Sequence, residues 1–195
     1  MMVKICGITN RDDALAAVEA GASALGFNFY PKSPRYLSPQ AAQAIVAELP
    51  PTVLKVGVFV DETNPAIQAI LREAALDIAQ VHGKQTVYGF RCWRARQVNS
   101  SFRCESLDDP AAEAFLLDAP SEELRGGTGR TFDWSKARIP GRRIVIAGGL
   151  DGDNVRQAIE QAEPWGVDAC SRLESNPGKK DRLKMKQFIK AALSV

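Results

Sequence analysis

Leu54-Lys55-Val56-Gly57-Val58-Phe59-Val60, then Asn64-Pro65 opening a segment with Ile67, Ile70 and Leu71 on one helical face, then Ile78-Ala79-Gln80-Val81-His82: residues 54–82 decide the fold. Two short apolar runs rich in β-branched residues flank a segment of helical period. Asn64 offers a helix N-cap and Pro65 suits the first helical turn. Two strands joined this way run parallel, because the helix carries the chain back to the starting edge.

The same alternation extends in both directions. Upstream lie strand candidates Val3–Cys6 and Ala24–Phe29, the second followed by Ser38-Pro39, another cap-and-proline start. Downstream lie Phe90–Ala95, Ala114–Asp118, Arg143–Ala147 and Val167–Cys170. Val155, Ala158, Ile159 and Ala162 share one helical face, as do Met185, Phe188, Ile189 and Ala192 near the end. Eight strand candidates in α/β alternation predict a closed (β/α)8 barrel. The open doubly wound sheet is the alternative, but no G-x-G-x-x-G follows the first strand. A chain of 195 residues makes a compact barrel, read as a single domain over 1–195. Only Lys84 to Gly89 separate His82-Gly83 from the fifth strand, fewer than the ~10–12 residues of a parallel crossover. The fourth helix is therefore expected to be shortened or missing. Its loss would bare Ile78, Val81, Phe90, Cys92 or Trp93. Folding of neighbours such as Tyr88 over the gap is favoured over cover by a second chain, which predicts a monomer or weak homodimer.

Composition narrows the partners. Net charge is +2 without a basic block, which argues against nucleic acid. No apolar run approaches the ~20 residues that span a bilayer, and Met1 to Gly7 lacks a signal peptide's build. A cytoplasmic protein without membrane contact is the expectation. Cys6, Cys92, Cys104 and Cys170 show neither metal-ligand spacing nor a compact disulfide pattern, so free thiols and no metal are expected.

A parallel barrel carries its site at the C-terminal ends of the strands. There the sequence places Cys6, His82, Asp118, Gly148-Gly149 and Cys170-Ser171, with Arg35 in the loop after strand two. Lys4 and Cys6 are two apart and share a side, so an ammonium would favour the Cys6 thiolate over a thiol of pKa ~8.5. Asp118 ends an apolar strand where a carboxylate is out of place. Cys6 as base and Asp118 as acid form the candidate catalytic pair. A lone cysteine is more often a small buried hydrophobe, and such an aspartate is as often a cap or ion-pair partner. Gly148-Gly149 and the turn at Ser171 suit a phosphate held by backbone N–H groups, although a Gly-Gly pair is usually only a turn. Arg35 is able to grip a carboxylate through two hydrogen bonds, but a loop arginine is commonly solvated. Gly126-Gly127-Thr128-Gly129 reads as a mobile loop beside Asp118 or as an ordinary connection.

In order along the chain, Lys4-Ile5-Cys6-Gly7-Ile8-Thr9, Gly26-Phe27-Asn28-Phe29-Tyr30-Pro31-Lys32-Ser33-Pro34-Arg35, Gln80-Val81-His82-Gly83, Leu116-Leu117-Asp118, Ala147-Gly148-Gly149-Leu150 and Pro177-Gly178-Lys179-Lys180-Asp181 resemble the phosphoribosylanthranilate isomerase family. The resemblance implies an Amadori rearrangement in tryptophan biosynthesis, with a phosphorylated small-molecule substrate and no cofactor. Carried over, Asp118 is the general acid that opens the ribose ring and Cys6 the base that takes the C2 proton. Arg35 would hold the anthranilate carboxylate. Gly148, Gly149, Ser171 and Arg172 would bind the phosphate, with Asp168 and His82 as supporting polar residues. Arg172 stands where the family usually has glycine, and Arg94-Ala95 where it has Lys-Ala. A related sugar-phosphate isomerase would be expected to use two aspartates, which a cysteine ending strand one disfavours. A non-catalytic binding barrel would need neither Cys6 nor Asp118.

Overall fold

The computed structural model describes residues 1–120 and 131–195; the Gly126–Gly129 segment lies outside them. Eight parallel strands close in sequence order: β1 (Met2–Ile5), β2 (Ala24–Asn28), β3 (Leu54–Val60), β4 (Ile78–His82), β5 (Cys92–Gln97), β6 (Ala112–Asp118), β7 (Ile144–Ile146) and β8 (Gly166–Ala169), with β8 returning to β1. Among the described residues five α-helices accompany them: α1 (Arg11–Glu19), α2 (Pro39–Val46), α3 (Asn64–Glu73), α4 (Val155–Ala162) and α5 (Arg182–Leu193). A two-stranded antiparallel hairpin, β9 (Glu174–Asn176) with β10 (Lys179–Lys180), sits between β8 and α5.

The helices start where the sequence offers caps. The Ser38 hydroxyl accepts from the Ala41 amide ahead of Pro39. At α3 the cap is Thr63, accepting from Ala66, so Asn64 is already helical and the start falls one residue earlier than expected. The Asn64 side chain instead donates to the Thr86 carbonyl at 2.8 Å, tying α3 to the loop after β4.

Register sorts each strand into an inward and an outward set. Lys4 pairs with Ala24 and Asp168, Val58 with Gln80, and Gln80 with Trp93. Met2, Ala24, Val56, Ile78, Trp93, Ala114 and Val145 form one apolar cluster that fills the lower barrel. One step higher on the same inward positions stand Lys4, Gln80 and Asp168, all buried. The outward set, with Val81 and Phe115, packs into the larger cluster beneath the helices.

The fourth crossover holds no helix, as expected: residues 83–91 are irregular. The shortening goes further than the sequence indicated. Between β5 and β6 only a 3-10 turn forms, Cys104–Ser106, and among the described residues between β6 and β7 only Trp134–Ala137. Cover over β4 and β5 also differs. Tyr88 is 62% exposed and covers nothing, while Val87 and Leu107 are buried against the outer face. Arg94, buried on that face, pairs with Asp109 at 2.6 Å and donates to the Gln85 carbonyl at 2.9 Å, lacing two loops across the gap. Trp93 is 1% exposed, but the reason is its inward position, where its ring meets Trp165 edge-on at 5.6 Å. It belongs to the barrel interior and not to the uncovered flank.

Candidate active site

All nine residues singled out for a site line one cleft at the C-terminal mouth, about 900 Å³ including its open entrance. Asp118 is the last residue of β6 and His82 the last of β4, while Cys6 follows β1 directly. Gly148 and Gly149 follow β7 with φ of 82° and 63°, and Ser171 opens the turn after β8. A Cβ on Gly148 would lie 2.6 Å from the Asp118 carboxylate, so the glycine lets the loop close onto the acid.

Burial dominates the Asp118 carboxyl and lifts it to about 6, against the pull of one hydrogen bond from the Ala119 amide at 2.8 Å. Lys4 and Asp168 form a buried ion pair at 2.8 Å. Desolvation outweighs the ammonium and pushes Asp168 up to about 7. Burial disfavours the Lys4 cation, yet Asp168 and Cys6 more than compensate, so Lys4 stays charged. Cys6 moves the opposite way from the carboxyls. The Cys170 thiol and the Lys4 cation hold it well below the ordinary thiol range despite its burial. Near pH 6 the mouth thus presents an anionic sulfur beside a carboxyl that still holds its proton in about half of the molecules.

Arg35 lines the cleft with one of its two forked edges already engaged. Its Nε and Nη2 donate to the Glu174 carboxylate at 2.8 and 2.7 Å. Glu174 takes the Nε–Nη2 edge, and the Nη1–Nη2 edge is the one left to meet a ligand carboxylate with two hydrogen bonds. Glu174 also accepts from the buried Lys180 ammonium at 2.9 Å. Sequence reasoning gave Glu174 no role, because 139 residues separate it from Arg35. Gln80 was missed as well. Its amide donates to His82 Nε2 at 3.0 Å, and its buried Oε1 has no protein partner. Its place two residues before His82, on the inward face, was the available signal.

The loops after β7 and β8 are joined across the cleft. Arg172 Nε meets the Asp151 carboxylate at 2.7 Å, and the Asn154 amide donates to the Gly149 carbonyl at 2.8 Å just before α4. These contacts hold the glycine pair and the Ser171 turn against one space, with α4 starting behind it.

The chain matches the model of the N-(5'-phosphoribosyl)anthranilate (PRA) isomerase family over residues 3–191. It is 50% identical over 196 residues to N-(5'-phosphoribosyl)anthranilate isomerase from Solibacter usitatus, covering 98% of this chain and 97% of that protein. Its structure superposes on crystalline phosphoribosyl anthranilate isomerase from Thermotoga maritima with a TM-score of 0.92 and 42% identity, covering all of both chains. A crystal structure of phosphoribosyl anthranilate isomerase in complex with reduced 1-(o-carboxyphenylamino)-1-deoxyribulose 5-phosphate superposes with a TM-score of 0.87 and 39% identity over the full length of both chains.

Proposed function

The chain belongs to the N-(5'-phosphoribosyl)anthranilate isomerase family, and on that premise we propose how its own residues carry the reaction. Its function is the isomerisation of N-(5'-phosphoribosyl)anthranilate to 1-(2-carboxyphenylamino)-1-deoxyribulose 5-phosphate in tryptophan biosynthesis. Asp118 gives its proton to the ribose ring oxygen as the C1–O bond breaks, leaving a Schiff base with the anilino nitrogen. The Cys6 thiolate then takes the proton from C2. The C2–H electron pair becomes the C1–C2 double bond, the imine electrons return to nitrogen, and the enolamine tautomerises to the ketone. No electrons enter or leave, so the reaction calls only for an acid and a base in opposite protonation states.

The observation that carries this reading is that contrast in one cleft: a carboxyl raised to about 6 facing a thiol lowered well below its usual range. Arg35, held along its Nε–Nη2 edge by Glu174, presents its Nη1–Nη2 edge to the anthranilate carboxylate. The backbone of Gly148, Gly149 and the Ser171 turn takes the phosphate, with the Arg172 guanidinium at its rim. Asp168 holds Lys4 in place beside the base, and His82, aligned by Gln80, faces the sugar. No helix among the described residues is long and apolar enough to cross a membrane. A reducing cytoplasm suits a mechanism that needs Cys6 as a free thiolate.

Asp118→Asn and Cys6→Ala are each expected to lower kcat by ~10²-fold or more, with substrate binding much less affected. Following the fluorescence of phosphoribosylanthranilate measures this directly. Near-normal turnover in either variant would remove that residue from its role.

A further inference from the structure

The hairpin of β9 and β10 stands at the mouth just after β8. Pro177-Gly178 turns it, with Gly178 at φ 81°, and sets Lys180 opposite Glu174. Two contacts tie it to the barrel and a third closes its base. The Thr9 hydroxyl, on the loop after β1, donates to the Gly178 carbonyl. The Lys180 amide donates to the Asp13 carboxylate of α1 at 2.8 Å, and the Asp181 amide to the Leu173 carbonyl at 2.8 Å. Glu174 is thus carried on a fixed piece of the mouth.

Both oxygens of that carboxylate are used. Oε1 accepts from Arg35 Nε at 2.8 Å and from Lys180 Nζ at 2.9 Å, while Oε2 accepts from Arg35 Nη2 at 2.7 Å. The Cys170 thiol stands 3.9 Å from Oε1 as a weaker donor. The Glu174 side chain is 4% exposed and that of Lys180 is fully buried, which shields these bonds from water. Arg35 reaches its partner over the end of β1, where a Cβ on Gly7 would lie 2.6 Å from Arg35 Cδ. Arg35 lines the cleft and Glu174 does not, so Glu174 grips the arginine from behind. A loose arginine would have to give up several rotamers to meet an anion. This one already holds a single orientation, with its Nη1–Nη2 edge left over by Glu174.

We propose that Glu174 is a positioning residue that sets substrate specificity: from the hairpin it fixes the Nη1–Nη2 edge of Arg35 in the cleft, so that the site selects arylamino sugar phosphates whose ring carries a carboxylate. Lys180 holds Glu174 in the orientation that does this. The proposal rests on the reading of Arg35 as the group that meets the anthranilate carboxylate.

The test is the affinity of the parent, Glu174→Gln and Arg35→Ala for two product analogues, measured by titration calorimetry. One is reduced 1-(o-carboxyphenylamino)-1-deoxyribulose 5-phosphate, and the other is the same compound without its ring carboxyl. The parent should favour the carboxylated analogue by about tenfold or more, the scale of hydrogen bonds to a charged group. Glutamine keeps the shape of Glu174 but sets an amide donor against one of the arginine donors, so the guanidinium loses its fixed orientation. The preference should then fall to about threefold or less. KM should rise more than kcat falls, since the carboxylate is bound in ground and transition states alike. A residue that only braces the hairpin would weaken both analogues equally, and an unchanged ratio would overturn the proposal. Should Glu174→Gln fail to fold, Glu174→Gln combined with Lys180→Met removes one charge of each sign from the buried cluster and carries the same expectation. Arg35→Ala separates the two readings: a parent-like preference in that variant, or none in the parent, defeats the carboxylate reading of Arg35 itself. A lost preference in Arg35→Ala beside an intact one in Glu174→Gln defeats only the role of Glu174.

Discussion

The lower and upper layers of the barrel interior are built from the same strands, two residues apart, and they are chemical opposites. Met2, Ile78 and Ala114 face inward at the bottom, whereas Lys4, Gln80 and Leu116 follow them, and Cys6, His82 and Asp118 reach the mouth. The bottom is an apolar plug finished by Trp93 against Trp165. The top buries a lysine, a glutamine and an aspartate that cost desolvation and contribute little to folding unless each is paired. Each strand thus divides its inward residues between stability below and chemistry above, and substitutions in the two layers should fail in different ways.

The largest effect is expected at the bottom. Trp93→Ala removes a buried ring from the plug and should destabilise by ~3–5 kcal/mol in urea unfolding, with kcat of the folded enzyme within a few-fold of the parent. A loss below ~1 kcal/mol would show that the plug relaxes into the space and would blur the contrast between the layers.

Lys4→Met tests the middle step. It takes the cation away from Cys6, and kcat should fall by at least about tenfold as the thiolate becomes scarcer at neutral pH. The cost in stability should stay below that of Trp93→Ala, because Asp168, already raised to about 7, can take up a proton once it is unpaired. A stability loss larger than that at Trp93, with kcat unchanged, would move Lys4 from the chemical layer to the structural one.

At the rim the effect is smaller and of another kind. Replacing Gly149 with leucine should raise KM several-fold more than it lowers kcat, since phosphate binding is shared by ground and transition states. A change confined to kcat would place the phosphate elsewhere.

The same contrast explains what could be read beforehand. The barrel was legible because apolar runs alternating with helical faces repeat over most of the chain, as in residues 54–82. The mouth was legible because Cys6, His82 and Asp118 are polar residues ending apolar strands. Trp93 was misplaced because an aromatic residue fits either side of a strand, and only register with Gln80 and Ala114 turns it inward. The full extent of helix loss was missed because Leu107, Arg94 and Asp109 cover the flank through loops without periodicity. The Arg35–Glu174–Lys180 chain was invisible for a different reason, since its members meet only when the hairpin folds back over the mouth.

The central claim is that the acid and base of the upper layer stand in opposite protonation states, and the pH profile of kcat/KM for the parent enzyme tests it most directly. Asp118 acts as acid only while protonated, so its contribution is present below a pKa of about 6 and is lost as pH rises through that value. Cys6 acts as base only while ionised, so activity is lost on the acid side as pH falls through its lowered pKa. The account predicts a bell whose basic limb begins near pH 6 and approaches a tenfold fall per unit above it. A profile flat from pH 5 to about 8 would contradict it.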